Sequence, residues 1–253
     1  TISKKFEYII HLIGPNQKQL LKNINLIKKK NQITSNICDL CISNNIKLIY
    51  VSSMQVYKDY GKNNISKNSK TNHKNPYAKA HYESERIIMK KFSNHKNMFT
   101  ILRVGNVFGF NKYENLREIN NNIIHSLCNS ALKKNKIIIN NGSIQRTFVP
   151  SEIFIQALNL ITNKNFFKNL IINISYQSLN LREVSKIIQN RCKVILDLNI
   201  NIVIKKFRYQ KKYSIYGNQN FKFSKDLKII YSEIDKILKI TNKIVENYRT
   251  SKK

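Results

Sequence analysis

Lys47-Leu48-Ile49-Tyr50-Val51-Ser52-Ser53 and, after a polar interval, Asn75-Pro76-Tyr77-Ala78-Lys79-Ala80-His81 are the stretches on which the reading of this fold turns. The first is short, apolar and β-branched up to its serines, the signature of a strand. The second opens a segment, residues 77–92, that has no Gly or Pro and carries Ala78, Ala80, Ile87, Ile88 and Met89, which favours a helix. Ser53 then falls at the carboxyl end of a strand and Tyr77, 24 positions on, in the first turn of the next helix. Ligands of open α/β sheets bind beyond the carboxyl ends of the strands. A serine hydroxyl and a tyrosine phenol placed there supply two halves of a proton relay.

Working outward, strands and helices alternate, which predicts a parallel sheet with helical crossovers. Residues 8–12 read as a strand. Residues 17–44 read as a helix broken around 28–31, residues 47–52 as a strand, and residues 59–75 as a polar loop without apolar periodicity. After the helix at 77–92 comes a strand at 99–104. Beyond Gly109 the pattern gives a helix over 115–134, a strand over 136–140 and the turn signal Asn141-Gly142. An extended piece at 146–149 leads to a helix capped by Ser151 and ending at Thr162. A strand at 171–174, a helix over 180–190 capped by Asn180, a β-prone run over 194–204 and an amphipathic helix over 232–248 complete the chain.

Several pieces, in order, resemble the extended short-chain dehydrogenase/reductase family, in its NAD-dependent nucleotide-sugar epimerase and dehydratase branch. Ser52-Ser53-Met54-Gln55-Val56-Tyr57 resembles the family's strand end followed by Val-Tyr, and Pro76-Tyr77 its Pro-Tyr-x-x-x-Lys. The lysine slot of that motif holds His81. Tyr8-Ile9-Ile10-His11-Leu12 resembles the fourth strand of the family's sheet, Arg103-Val104-Gly105-Asn106-Val107-Phe108-Gly109 its Arg-x-x-Asn-x-Tyr-Gly, and Gln145-Arg146-Thr147-Phe148-Val149 its Arg-Asp-Phe-x-x-Val. Ile172-Asn173-Ile174 with Asn180-Leu181-Arg182-Glu183-Val184 resembles a later strand and helix. The fold so implied is α/β: a partial Rossmann-type doubly wound parallel sheet whose first strands are missing, with a smaller carboxyl-terminal substrate domain. Residues 1–109 would be the remaining part of the NAD(P)-binding domain, and residues 110–253 mainly the sugar-nucleotide domain, interleaved with late Rossmann elements. No Gly-x-x-Gly-x-x-Gly loop occurs among the 6 glycines, so the reading is of a fragment that starts just before the fourth strand. Such a fragment is expected to hold NAD weakly and to expose an apolar strand edge at residues 8–12.

The resemblance implies roles residue by residue. Tyr77 would be the catalytic base, with Ser53 sharing its proton and His81 standing where the family's lysine depresses the phenol. A free phenol has a pKa of about 10, so base catalysis near pH 7 calls for a depression of about three units. Cofactor contacts would come from His11, Ser52, Tyr77, His81 and Val104, with NAD or NADP as the cofactor. Substrate contacts would come from Ser53, Asn106, Arg146 and Arg208, the arginines suiting a diphosphate through their forked donors. Met54 and Gln55 occupy the positions where 4,6-dehydratases of the family carry Asp-Glu, and neither can move a proton. The expected activity is hydride transfer at a sugar carbon, C4, by an epimerase or ketoreductase that serves surface polysaccharide synthesis. The expected partner is a nucleotide-diphosphate sugar, and a homodimer is the assembly considered.

Composition allows this and two rivals. The net charge of +31, from 45 basic and 14 acidic residues, is of the kind that draws nucleic acid. Its lysines, however, are spread along the chain within a general richness in Lys, Asn and Ile. An anionic sugar nucleotide would gain from the same field. The other rival is a binding protein that has kept the fold and lost the chemistry, favoured by His81. Cys38-Asp39-Leu40-Cys41 has redox or zinc spacing but sits in an expected helix without a second pair, so it reads as apolar helix residues in a reducing compartment, with no metal. No apolar run approaches a membrane span, and the expectation is a soluble, cytoplasmic protein.

Overall fold

A computed structural model describes residues 6–58, 60, 64–66, 68–72, 74–109, 122–163, 168–208 and 226–250. The described residues divide into two compact units: those within 6–105 and 155–175 form the first, and those within 106–154, 176–208 and 226–250 the second.

The first unit is built on four parallel strands, β1 (Tyr8–His11), β2 (Lys47–Ser53), β3 (Phe99–Val104) and β7 (Leu170–Ile174), side by side in that order. Tyr8 pairs with Lys47, Tyr50 with Ile101, and Val104 with Ile174, so the carboxyl ends of all four lie together. Helices α1 (Gln17–Lys22) and α2 (Leu26–Ser43) link β1 to β2, and α3 (Pro76–Lys91) links β2 to β3. The stripe Ile27, Lys30, Thr34, Cys38, Cys41 is the buried face of α2. Four members recur at helical spacing, as a core face should. Lys30 is the fifth, and it is charged. Cys38 and Cys41 pack with Leu48, Tyr50, Ile88, Phe92 and Ile101, and burial pushes both thiols up to about 12. At neutral pH they are protonated, inert core atoms.

Three expectations are corrected. The break in the first helical stretch falls at Asn23–Asn25, not at residues 28–31. Asn23 ends α1 in an extended conformation and its side chain accepts from Asn25 N at 3.0 Å, while burial of Ile27 and Lys30 carries α2 through the lysine run. The interval between β2 and α3 is less of a loop than its polarity suggests. Ile65 is fully buried with Met54, Val56 and Tyr57, and Tyr57 bridges Thr71. The run at 194–204 is strand only in its last four residues. Helix α6 continues to Leu196 because Cys192 stays in the core, and stops at Asp197 in the left-handed region (φ 52°). Asn45, Asn97, Asn135 and Asn169 adopt the same conformation, a role that glycine usually fills and that asparagine tolerates best among residues with a side chain.

The second unit holds a sheet of β4 (Asn106–Phe108), β6 (Gln145–Pro150) and β8 (Gln177–Asn180), and a parallel pair, β5 (Lys136–Ile139) with β9 (Asn201–Ile204). Helices α4 (Ile123–Lys134), α6 (Leu181–Leu196) and α7 (Leu227–Thr250) pack about them. The expected start of α4 at residue 115 lies outside the described residues. Helix α5 (Ser151–Asn163) takes Ser151 as its first residue and passes from the second unit into the first. At α6 the Asn180 Oδ1 accepts from Glu183 N (2.8 Å) and Glu183 Oε2 accepts from Asn180 N (2.8 Å), a reciprocal cap. Asn180→Ala is expected to cost about 1 kcal/mol in urea unfolding. No described helix is long and apolar enough to cross a membrane.

Candidate active site

Two local caps fix the corner where β2 meets α3. Ser53 ends β2 in an extended conformation, and its Oγ accepts from Gln55 N at 3.2 Å to start the single 3-10 turn Met54–Val56. Asn75 is extended as well, and its Oδ1 accepts from Tyr77 N at 2.9 Å. Pro76 fills the first helical turn, where a missing N–H costs nothing. Asn75 Nδ2 donates to Gln55 Oε1 at 3.4 Å, which ties the two caps together. Their combined effect is to bring the Ser53 hydroxyl close enough to the Tyr77 phenol to favour its ionised form.

Tyr77 is half-buried and packs against Leu20, Ile27 and Ala80. Burial raises its phenol above the ordinary 10, and the nearby Ser53 hydroxyl pulls in the other direction. At neutral pH the ring is therefore a protonated donor, not the depressed base that the motif calls for. His81, one turn on, meets Tyr77 edge-on with centroids 4.6 Å apart. Burial, and then the charges of Lys30 and His11, hold its imidazole well below 6.5, so it brings no cation to the phenol at pH 7. Lys79 does not fill the gap, since its ammonium turns to Glu83 at 3.8 Å on the exposed side of the helix.

Behind this corner lies a buried polar network that sequence reading missed. The Lys30 ammonium, 3% exposed, donates to Tyr50 Oη (2.6 Å), Ser84 Oγ (2.7 Å) and Ala80 O (3.4 Å). All three of its protons are placed. Tyr50 Oη accepts from Lys30 and also lies in hydrogen-bond contact with His81 Nδ1 at 2.9 Å, the donor there being set by the imidazole tautomer. If Tyr50 is the donor, neutral His81 carries its proton on Nε2. Thr34 Oγ1 donates to Lys30 O at 3.0 Å, and His11 Nε2 lies 3.0 Å from Thr34 Oγ1. Ile13 N donates to His11 Nδ1 at 3.3 Å, which leaves the His11 proton on Nε2, directed at Thr34. His11 is held down at about 4 by burial and by Lys30. Lys30 itself is lowered to about 7, burial outweighing the attraction of Glu85 and Glu83. Its spacing from Ile27 and Thr34 on one helical face was the available signal, hidden inside Lys28-Lys29-Lys30.

The remaining sequence candidates are placed as follows. Ser52 is buried, and its Oγ donates to Glu85 Oε1 at 2.6 Å, so its hydroxyl is engaged inside the fold and not offered to a ligand. Glu85 in turn receives Arg103 through both oxygens, at 3.0 and 2.6 Å, beneath the Tyr57 ring. Val104 is also buried, at the end of β3, which leaves its side chain no ligand-facing surface. His11 is 1% exposed and both ring nitrogens engage the protein. Asn106, Arg146 and Arg208 belong to the second unit. There, Asn106 is in register with Phe148, two residues past Arg146 on β6, and its Nδ2 donates to Thr147 O at 3.2 Å. Arg146 Nη1 donates to its neighbour's carbonyl, Gln145 O, at 2.9 Å. Arg208 N donates to Ser143 Oγ at 2.5 Å, and its side chain is exposed.

Residues 1–175 match a family model described as the NAD dependent epimerase/dehydratase family. No curated protein matches the chain in sequence. Among solved structures, the chain is similar to RMD from Pseudomonas aeruginosa complexed with NADPH (TM-score 0.74, 15% identity, covering 94% of this chain and 82% of the other). It is similar also to UDP-N-acetylglucosamine 4-epimerase from Methanobrevibacter ruminantium M1 in complex with UDP-N-acetylmuramic acid (TM-score 0.73, 19% identity, 92% and 76%). A third is UDP-glucose 4-epimerase from Bifidobacterium longum in complex with NAD+ and UDP (TM-score 0.73, 14% identity, 94% and 78%). At these identities the likeness is one of fold.

Proposed function

The chain belongs to the NAD dependent epimerase/dehydratase family, and from that premise we propose that it binds NAD(P) and a nucleotide-diphosphate sugar and acts as a 4-epimerase or 4-ketoreductase in surface polysaccharide synthesis. The observation that carries this reading is the placing of Ser53, the last residue of β2, beside Tyr77 in the first turn of α3, close enough for its hydroxyl to act on the phenol. The donor set at this corner fits a ligand rich in hydroxyls. Ser53 and Tyr77 each donate and accept, and His81 Nε2 makes no hydrogen bond among the described residues. Tyr77, His81 and Ser53 are the side chains that would hold a nicotinamide ribose and the reacting sugar. When bound, the nicotinamide supplies hydride transfer and, oxidised, a positive ring.

Tyr77 does the proton work. A phenol raised by burial is neutral at pH 7 and gives its proton to a sugar ketone oxygen as the carbonyl becomes an alcohol. In the reverse direction the phenolate takes the proton of the sugar hydroxyl. Ser53 hydrogen bonds the same oxygen and steadies whichever atom is short of a proton. Water elimination is disfavoured by the turn after β2. Met54 is fully buried and Gln55 is tied to Asn75, so neither position offers an acid or a base. On the substrate side, Asn106, Arg146 and Arg208 are the groups we assign to the sugar and its diphosphate.

Neutral His81 favours a second reading, a sugar-nucleotide binder without turnover. One experiment separates the two: turnover of UDP- and dTDP-linked sugars, read both as interconversion of C4 epimers in the presence of NAD and as NAD(P)H formation or consumption, comparing the wild type with Tyr77→Phe. The enzymatic reading expects turnover that falls about 100-fold in the variant, with sugar binding kept. Equal rates in both proteins overturn Tyr77 as the proton carrier, and binding without turnover in the wild type selects the second reading.

A further inference from the structure

We propose that Lys30 supplies, from the neighbouring helix, the buried cation of this active site, acting on Tyr77 through Tyr50 and His81. The inference rests on the enzymatic reading above and names a positioning residue for it. An uncompensated ammonium does not stay inside a fold, because desolvation is worth several kcal/mol. This one is retained at 3% exposure by three acceptors, all within 3.4 Å. Gly14 leaves the space its stem occupies: a Cβ there would lie 2.7 Å from Lys30 Cε. Of the three acceptors, Tyr50 leads towards the active site. Its Oη joins Lys30 Nζ (2.6 Å) to His81 Nδ1 (2.9 Å), and the His81 ring abuts that of Tyr77.

In the arrangement proposed, the chain of donors runs in one direction: the ammonium donates to Tyr50, Tyr50 donates to His81 Nδ1 across the 2.9 Å contact, and His81 is left with Nε2–H as its outward proton. A proton drawn from Nε2 can be replaced through the same path: His81 takes Tyr50's proton at Nδ1, and Tyr50 takes one from Lys30. The balance is one proton lost by Lys30 and one delivered at Nε2, with His81 ending in its other tautomer. Around Lys30 the groups that set its charge are His11 on β1, Tyr50 on β2, and His81, Glu83 and Glu85 on α3. Their sum leaves the ammonium near half-charged at neutral pH, the condition for a proton store. The cation that the Tyr-x-x-x-Lys motif carries on α3 is thus held on α2, where it titrates near neutral pH, and His81 in its slot is the connector.

The test uses the ring-nitrogen spectrum of the whole protein without ligand, followed from pH 4 to 9 and assigned with His81→Gln, together with turnover kinetics. In the wild type His81 should read as the neutral Nε2–H tautomer. Lys30→Met should move the His81 pKa up, by removing a like charge, and should lower kcat about 100-fold with KM changed less than about threefold. Lys30→Met/His81→Lys, which returns the ammonium to α3, should regain tenfold or more of that loss, a rescue that a mere packing role would not allow. Should Lys30→Met fail to fold, Tyr50→Phe keeps the ring, removes the connecting hydroxyl and should release His81 from its single tautomer. A His81 spectrum unchanged by both substitutions, or a double variant no faster than Lys30→Met, overturns the proposal. Absent wild-type turnover would sink the enzymatic reading, and the His81 spectrum would still decide this one.

Discussion

Arg103→Met is expected to lower the free energy of unfolding by about 3–5 kcal/mol, read as an earlier urea midpoint with an unchanged slope. Glu85 is fully buried on α3, and the guanidinium on β3 grips both its oxygens at 3.0 and 2.6 Å. Removing the arginine strands a carboxylate whose one remaining hydrogen-bond partner among the described residues is the Ser52 hydroxyl at 2.6 Å. The pair itself is not worth so much, since two desolvated ions attract only a little more strongly than water solvated them apart. Glu85→Met/Arg103→Met should therefore recover most of the loss, short of about 1–3 kcal/mol for the unbonded Ser52 hydroxyl. Glu85 lies on the same helix as Tyr77, so the single variant should also loosen the corner that holds Tyr77 to Ser53. A single variant as stable as the wild type would mean that water reaches Glu85.

What could be read in advance was whatever depends on short-range pattern. The β-branched run before Ser52-Ser53 could only be a strand, and Asn75-Pro76 could only start a helix, so the meeting of Ser53 with Tyr77 followed from two adjacent caps. The parallel order of the first sheet followed from alternation. What escaped depends on which side of an element faces inward. Ser52 and Ser53 are indistinguishable as letters, yet one is turned to buried Glu85 and the other to Tyr77. Lys30 looked like its two neighbours in a basic run until the position of α3 showed that its side was the dry one. Arg103 and Glu85 pair across 18 residues, and no local spacing announces a partner at that range.

Between pH 4 and about pH 10 the protein is expected to become progressively more stable as protons are removed, and Lys30 should account for the upper part of that rise. In the unfolded chain Lys30 keeps its proton to about 10.5, whereas in the folded protein it gives the proton up near 7. From 7 to 10.5 the unfolded state thus binds more protons, which is the condition for stability to increase with pH. Below 7 both states are protonated, and the full cost of burying the ammonium is present, roughly 3–5 kcal/mol. His11 repeats the argument lower down: its folded value of about 4 against 6.5 unfolded adds roughly 3 kcal/mol as pH climbs through that window. His81, also lowered, acts with the same sign. Above pH 10 the direction reverses, because burial raises Tyr50, Tyr57 and Tyr77 above the value at which unfolded phenols ionise. Lysines at the surface also lose charge near pH 10 and relieve repulsion in a chain of net charge +31, so a rising curve alone does not single out Lys30. Lys30→Met does. It should be more stable than the wild type at pH 7, and the difference should shrink to nothing or reverse by pH 10. Melting temperatures of the two proteins at half-unit steps from pH 5 to 10.5 make the comparison, and parallel curves would show that Lys30 is solvated in both states and carries no buried charge.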